Sequence, residues 1–153
     1  MCNVCMYTQT FVPDRHKSGE PVYEGIAQTF VNAVANSGPM TVTETTDAPA
    51  GTTTPYSIEV GDTFAGTFSN GQDTDWVALT VQAGTAYSVF ADLTSNFSRF
   101  DGFMSVFDSS GDFVATNLQD NNSSRTEDVT FFAEESGTYY VSLRLSDAVS
   151  STT

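Results

Sequence analysis

Histidine is almost missing from this chain: His16 is the single one in 153 residues. A zinc protease pair of the His-Glu-x-x-His kind needs two imidazoles one helical turn apart, so that chemistry is excluded. A Ser-His-Asp triad would have to recruit His16 from the polar stretch 14–19, and no Gly-x-Ser-x-Gly elbow is present. Cysteine is as scarce. Cys2 and Cys5 are the only two, so no disulfide framework staples a core. Either thiol as a nucleophile would sit close to a chain end, a poor place for precise geometry. Basic residues number 5 against 19 acidic ones, a net charge of −14. Such a surface repels phosphates and anionic lipids, so nucleic acid is excluded as a partner, and so is membrane insertion. No apolar run approaches the roughly 18 to 20 residues of a membrane helix. The first residues lack both the charged and the long apolar regions of a cleaved secretory signal. Glycosidases need only two carboxylates, which 19 acids cannot exclude. Surface acids far more often serve solvation, and the expectation is that the chain is not an enzyme.

What is abundant is aromatic and periodic. Twelve Phe, six Tyr and one Trp favour β-structure. From Pro55 onward apolar residues alternate with period two. Tyr56, Ile58 and Val60 lead, followed by Phe64 and Phe68, then Val77, Leu79 and Val81, then Tyr87, Val89, Ala91 and Leu93. Later runs cover 103–107, 113–116, 129–133 and 139–145, with Gly- and Asn-containing turns between them. The pattern predicts an all-β domain over residues 55–146, an antiparallel β-sandwich of jelly-roll-like topology with about eight strands. Residues 1–54 read as a leader and linker forming a partly ordered N-terminal arm. Within it Val22, Ile26, Phe30 and Val34, spaced by four, suggest a short helix over 22–36. The Thr- and Pro-rich stretch 39–54 reads as a linker or extended arm, and 147–153 as a tail.

Acidic loops offer a metal chemistry. Asp73 and Asp75 lie two apart at a strand entry, while Asp101, Asp108, Asp112, Asn117 and Asp120 lie in or beside loops. Calcium takes six to eight oxygen ligands of this kind, assembled here from separate loops because no EF-hand pattern is present. The competing reading, given equal weight, is that these side chains cap turns. Cys2, Cys5 and His16 supply three zinc ligands where a structural site uses four. Two thiols, free or mutually oxidised, on a flexible leader are the preferred reading there. Trp76, Phe90, Phe97, Phe100 and Tyr140 fall off the inward phase. They would form either a face for a polysaccharide or polypeptide ligand or, by default, a second packed layer.

One ordered set of residues resembles a known family. Asp73, Asp75 and Trp76 open a strand that ends at Ala83-Gly84. Tyr87 leads the next, Phe107-Asp108 turns through Gly111 to a loop with Asn117 and Asp120, and Ser136-Gly137-Thr138-Tyr139-Tyr140 opens another. This resembles the bacterial pre-peptidase C-terminal domain, an accessory module attached to many secreted proteases. The leader is similar to the beginnings of serralysin-like RTX proteins of marine α-proteobacteria, exported by type I secretion. The resemblance implies a non-catalytic, extracellular accessory module of a calcium-dependent protein, beside a peptidase or RTX region, serving in substrate or matrix binding or in folding and maturation. It also implies a further closing strand, which this chain lacks, leaving a sheet edge open unless residues 22–54 cover it. The alternative is a structural or cell-surface assembly protein that acts through that edge.

Overall fold

The computed structural model describes residues 3–11, 38–94, 101–117 and 126–146. Ten strands run through them: β1 (Asn3–Phe11), β2 (Thr41–Thr43), β3 (Ser57–Ile58), β4 (Thr63–Thr67), β5 (Thr74–Val81), β6 (Thr85–Thr94), β7 (Asp101–Phe107), β8 (Phe113–Thr116), β9 (Thr126–Ala133) and β10 (Gly137–Ser146). They form two five-stranded sheets, ordered β2-β4-β1-β6-β9 and β3-β5-β10-β7-β8. The architecture is all-β with sandwich-like packing. Each of the eight expected runs becomes one of the strands β3 to β10, because alternation forces one face of each inward. The proposed helix over 22–36 and the tail 147–153 lie outside the described residues.

Two strands come from what the sequence presents as leader and linker. Residues 3–11 are not a loose leader: β1 is the middle strand of the first sheet, antiparallel to β4 and to β6. A strand there satisfies the backbone groups of two neighbours at once, which a polar composition does not announce. β2 adds in parallel to β4 and β3 in parallel to β5, so residues 44–56 cross from one sheet to the other.

Between the sheets lies the core. Phe64, Leu79, Met104, Leu143, Val77, Val89, Val106 and Val141 are fully buried. Each such side chain contributes about 1.5–3 kcal/mol on leaving water. Tyr87, Phe131 and Tyr139 stack in sequence at 5.6 and 5.5 Å, joining β6 and β9 of one sheet to β10 of the other. Off-phase aromatics form a second layer outside the second sheet: Trp76 stacks on Phe107 at 4.4 Å with Tyr140 beside it, and Phe113 meets Phe107 edge-on. Phe97 and Phe100 lie outside the described residues.

On the β8–β9 side, Glu127 ties the sheets together. Although it occupies an inward position, its carboxylate accepts from Asn117 Nδ2 at 2.7 Å and from Gly102 N at 3.3 Å. The Asn117 side chain in turn accepts from Met104 N at 2.9 Å and donates to Gly102 O at 3.3 Å. A Cβ at Gly102 would come within 2.6 Å of Glu127 Cγ and 2.7 Å of Leu93 Cδ1, whereas one at Gly71 meets nothing within 4 Å. Gly102→Ala should therefore lower stability by about 1–3 kcal/mol by overpacking. Gly71→Ala should stay within about 0.5 kcal/mol of the parent. Urea denaturation of the two variants tests this, and equal midpoints would contradict the crowding.

Candidate metal centre

The opposite side of the sandwich is closed by the crossing segment. It starts with Glu44 just beyond β2, passes Asp47 and the fully buried Ala48, and arrives at Tyr56 before β3. Glu44 folds the segment back on itself: Oε1 accepts from Ala48 N at 2.8 Å, and Oε2 accepts from Thr67 N at 2.6 Å. Tyr56 holds the middle. Its hydroxyl accepts from Thr45 N and Thr46 N, each at 2.9 Å, and donates to Thr46 O. The Thr45 and Thr46 hydroxyls and the Thr46 backbone pull the Tyr56 phenol down to about 8.

β5 supplies the decisive group. Its inward positions are Asp75, Val77, Leu79 and Val81, so one carboxyl replaces an apolar side chain at the end of a core-facing row. Asp75 is 0% exposed, and neither carboxyl oxygen has a hydrogen-bond partner. Oxygen atoms of Glu44, Asp47 and Asp75 lie within 4.8 Å of one another. Asp73 adjoins them, close enough for its charge to act on Asp47 and Asp75. Of the described residues Arg144 is the only basic one, and its guanidinium sits 4.6 Å over the Phe103 ring. Burial, and then the charges of Asp73, Glu44 and Asp47, push Asp75 up to about 8. Loss of hydration, then Asp73 and Glu44, raise Asp47 as well. A cavity of about 160 Å³ opens beside the cluster, lined by Glu44, Thr45, Thr46, Asp47, Thr67 and Ser69.

A carboxyl buried without a partner requires a proton or a cation. The donor set is oxygen only, which suits a hard divalent ion and not a soft one. Its members come from β5 of the second sheet and from the crossing segment, an adaptable arrangement closer to calcium's variable coordination than to magnesium's strict octahedron. Glu44, Asp47 and Asp75 would hold the ion, with Asp73 alongside.

Of the seven residues proposed from sequence, Asp75 belongs to this cluster and Asp73 lies beside it. The remainder are placed elsewhere. Asp108 caps the β7–β8 turn, accepting through Oδ1 from Ser110 N at 2.8 Å and Asp112 N at 2.9 Å. Asp112 is exposed in that turn, and Asn117 belongs to the Glu127 network. Asp101 begins β7, and Asp120 lies outside the described residues. Capping also engages Asp73, which accepts from Thr74 N at 2.8 Å and from Ser69 N. Glu44 and Asp47 were missed. The Thr-rich stretch carries no periodicity, and only the crossover between sheets brings it to Asp75. Of the zinc set, Cys5 lies in β1, opposite Asp92 and Ala65, while Cys2 and His16 are outside the described residues.

Residues 73–145 match the family model of the bacterial pre-peptidase C-terminal domain. The match spans β5 to β10, which is the second sheet apart from β3, together with β6 and β9 of the first. Pre-peptidase C-terminal domains are non-catalytic accessory modules, and it is this matched segment of the chain that resembles them. No curated protein and no solved structure matches the chain. Among the described residues no helix is long and apolar enough to cross a membrane. Glu44 and Asp47 precede the matched segment, so the cluster joins that segment to the residues before it.

The raised value of Asp75 fixes the sign of a pH effect. It lies above the ~3.9 of an unfolded aspartate, so its contribution is present below that value and is lost as pH rises through about 8. Metal-stripped protein should therefore melt progressively lower, relative to Asp75→Asn, between about pH 4 and pH 8. Melts of the two proteins across that range, in chelator, measure the difference. A difference that stays flat would mean that Asp75 is not buried as a lone acid.

Proposed function

We propose that this chain is a non-catalytic accessory module of a secreted peptidase or RTX-type protein, stabilised by a calcium ion at Glu44, Asp47 and Asp75. The observation that carries the calcium reading is the buried Asp75 carboxyl, which lacks any partner and faces two further carboxylates. The other buried acid, Glu127, has its amide partners, so burial of acids in this fold is otherwise compensated. The family match supports the accessory role. Extracellular placement fits calcium, which is plentiful outside cells, and type I export belongs to the same reading. The module's task is then attachment to substrate or matrix, or support for folding and maturation of its neighbour. Its jelly-roll-like classification belongs to the same reading.

Calcium should act as a stabilising ligand. At 100 times its dissociation constant it adds about 2.7 kcal/mol. For a domain of this size that raises the melting temperature by roughly 5–10 °C. Magnesium at the same concentration should do much less, and Asp75→Asn and Glu44→Gln should each abolish the calcium shift. Thermal melts of chelator-treated protein decide the matter. An unchanged melt in calcium would reduce the cluster to turn chemistry and a protonated aspartic acid.

A further inference from the structure

Asparagine is followed by glycine at one place in the chain, Asn70-Gly71, in the turn between β4 and β5. Both residues are exposed. The turn is wound around Asn70. Its Oδ1 accepts from Gln72 N at 2.9 Å, its carbonyl oxygen accepts from Asp73 N at 3.3 Å, and its Nδ2 donates to Ser69 Oγ at 3.1 Å. A side-chain oxygen bonded to the N–H two residues on folds the amide back over the intervening peptide, here the one joining Asn70 to Gly71. The Gly71 N–H itself has no hydrogen-bond partner among the described residues. Nor does the fold require glycine at this position. Gly61, Gly84, Gly111 and Gly137 have positive φ, whereas Gly71 does not, and a Cβ there would meet nothing within 4 Å. What glycine supplies is an uncrowded nitrogen beside a folded-back amide.

We propose that Asn70-Gly71 is a self-modification site, where the turn promotes conversion of the asparagine to an aspartyl or isoaspartyl residue, and that the isoaspartyl form loosens the adjoining metal centre. The co-reactant is water. Gly71 N gives its proton to water or hydroxide and bonds to Asn70 Cγ. The Cγ–Nδ2 bond breaks, ammonia leaves, and a five-membered imide closes. Negative charge gathers on Oδ1 as the new bond forms, and Gln72 N–H already donates to that atom, the arrangement that stabilises an oxyanion. Water then opens the ring. Breaking the bond from nitrogen to Cγ leaves an aspartyl residue. Breaking the bond from nitrogen to the main-chain carbonyl carbon leaves an isoaspartyl residue, whose backbone runs through Cβ and Cγ. Nothing is oxidised or reduced.

The turn carries this change to the metal centre. Ser69 lines the cavity with Glu44 and Asp47, and its N–H donates to Asp73 Oδ2 across the turn. An isoaspartyl linkage lengthens the chain between Ser69 and Asp73 by a methylene. That span is closed by the Ser69–Asp73 bond and by Asp73 N on the Asn70 carbonyl, so lengthening it opens one or both. Asp73 and the Ser69 side of the cavity then shift against Asp75. The effect on the metal rests on the calcium reading given above.

The test holds the full folded chain in mildly alkaline buffer at body temperature and follows it by mass spectrometry with peptide mapping. The mass gain of an NH2-to-OH exchange should appear first at Asn70, and an isoaspartate-specific methyltransferase should label the same peptide. Asn117, whose amide is engaged by Gly102 O and Glu127, should stay unchanged. Gly71→Ala should keep the parent's melting temperature and slow the conversion about tenfold, the effect of about 1.4 kcal/mol on a barrier. Converted protein is then fractionated and melted with and without calcium, beside Asn70→Asp, which adds the charge without the longer backbone. The isoaspartyl fraction should show roughly half the parent's calcium shift, as about tenfold weaker binding gives, while Asn70→Asp keeps it in full. An amide that persists in the folded chain while the urea-unfolded chain converts, or equal rates for parent and Gly71→Ala, would overturn the modification site. An undiminished calcium shift in the isoaspartyl fraction would overturn its coupling to the metal. Fresh protein without any calcium shift would overturn the calcium reading and the coupling with it, and the mass measurement would still decide the modification.

Discussion

The long central strands of this sandwich turn one side toward a shared apolar layer, and on β5 that layer ends in a carboxyl group. Asp75 continues the row of Val77, Leu79 and Val81, so the geometry that buries the valines also buries the acid. Strand pairing with β10 then fixes it, Leu143 lying opposite, and a one-residue slip would turn the whole row outward. Nothing in the strand can relieve the carboxyl. Relief comes from a proton or from an ion shared with the segment that crosses between the sheets, which makes the crossing segment part of the fold's electrostatics as well as its connectivity.

The two sides of the sandwich treat a buried acid in opposite ways. Near β8 and β9, Glu127 is neutralised in effect by amide donors from Asn117 and Gly102 and serves as an internal tie. Near β4 and β5, Glu44 spends its oxygens on Ala48 and Thr67, Asp47 faces the cavity, and Asp75 is left with like charges around it. Hydrogen-bonded acids are a structural device; an uncompensated one among other carboxylates calls for a proton or a cation. The contrast within one molecule is more informative than acidity of the chain as a whole, because −14 charges spread over a surface describe solubility first.

The first sheet is assembled differently from the second. Most of the second lies within the matched segment 73–145, while β2, β4 and β1 of the first come from residues before it. The metal cluster and the β1 position therefore lie where that segment meets the preceding residues.

The eight strands from Ser57 to Ser146 were legible because alternation with period two and Gly-marked turns are local signals, and Asp73 and Asp75 stood out by spacing alone. Residues 3–11 gave no such signal, because the place of β1 depends on backbone groups of β4 and β6, far along the chain. Glu44 and Asp47 sit in a Thr-rich stretch without periodicity, so their meeting with Asp75 required the parallel addition of β2 and β3 to different sheets. Asp108 and Asn117 looked equally suited to calcium, and only tertiary hydrogen bonds separate them from Asp75. Sequence determined the class of fold and the shortage of catalytic groups, since both follow from composition and local period. Which carboxyl was left without a partner was decided by tertiary structure, because a partner is a neighbour in space.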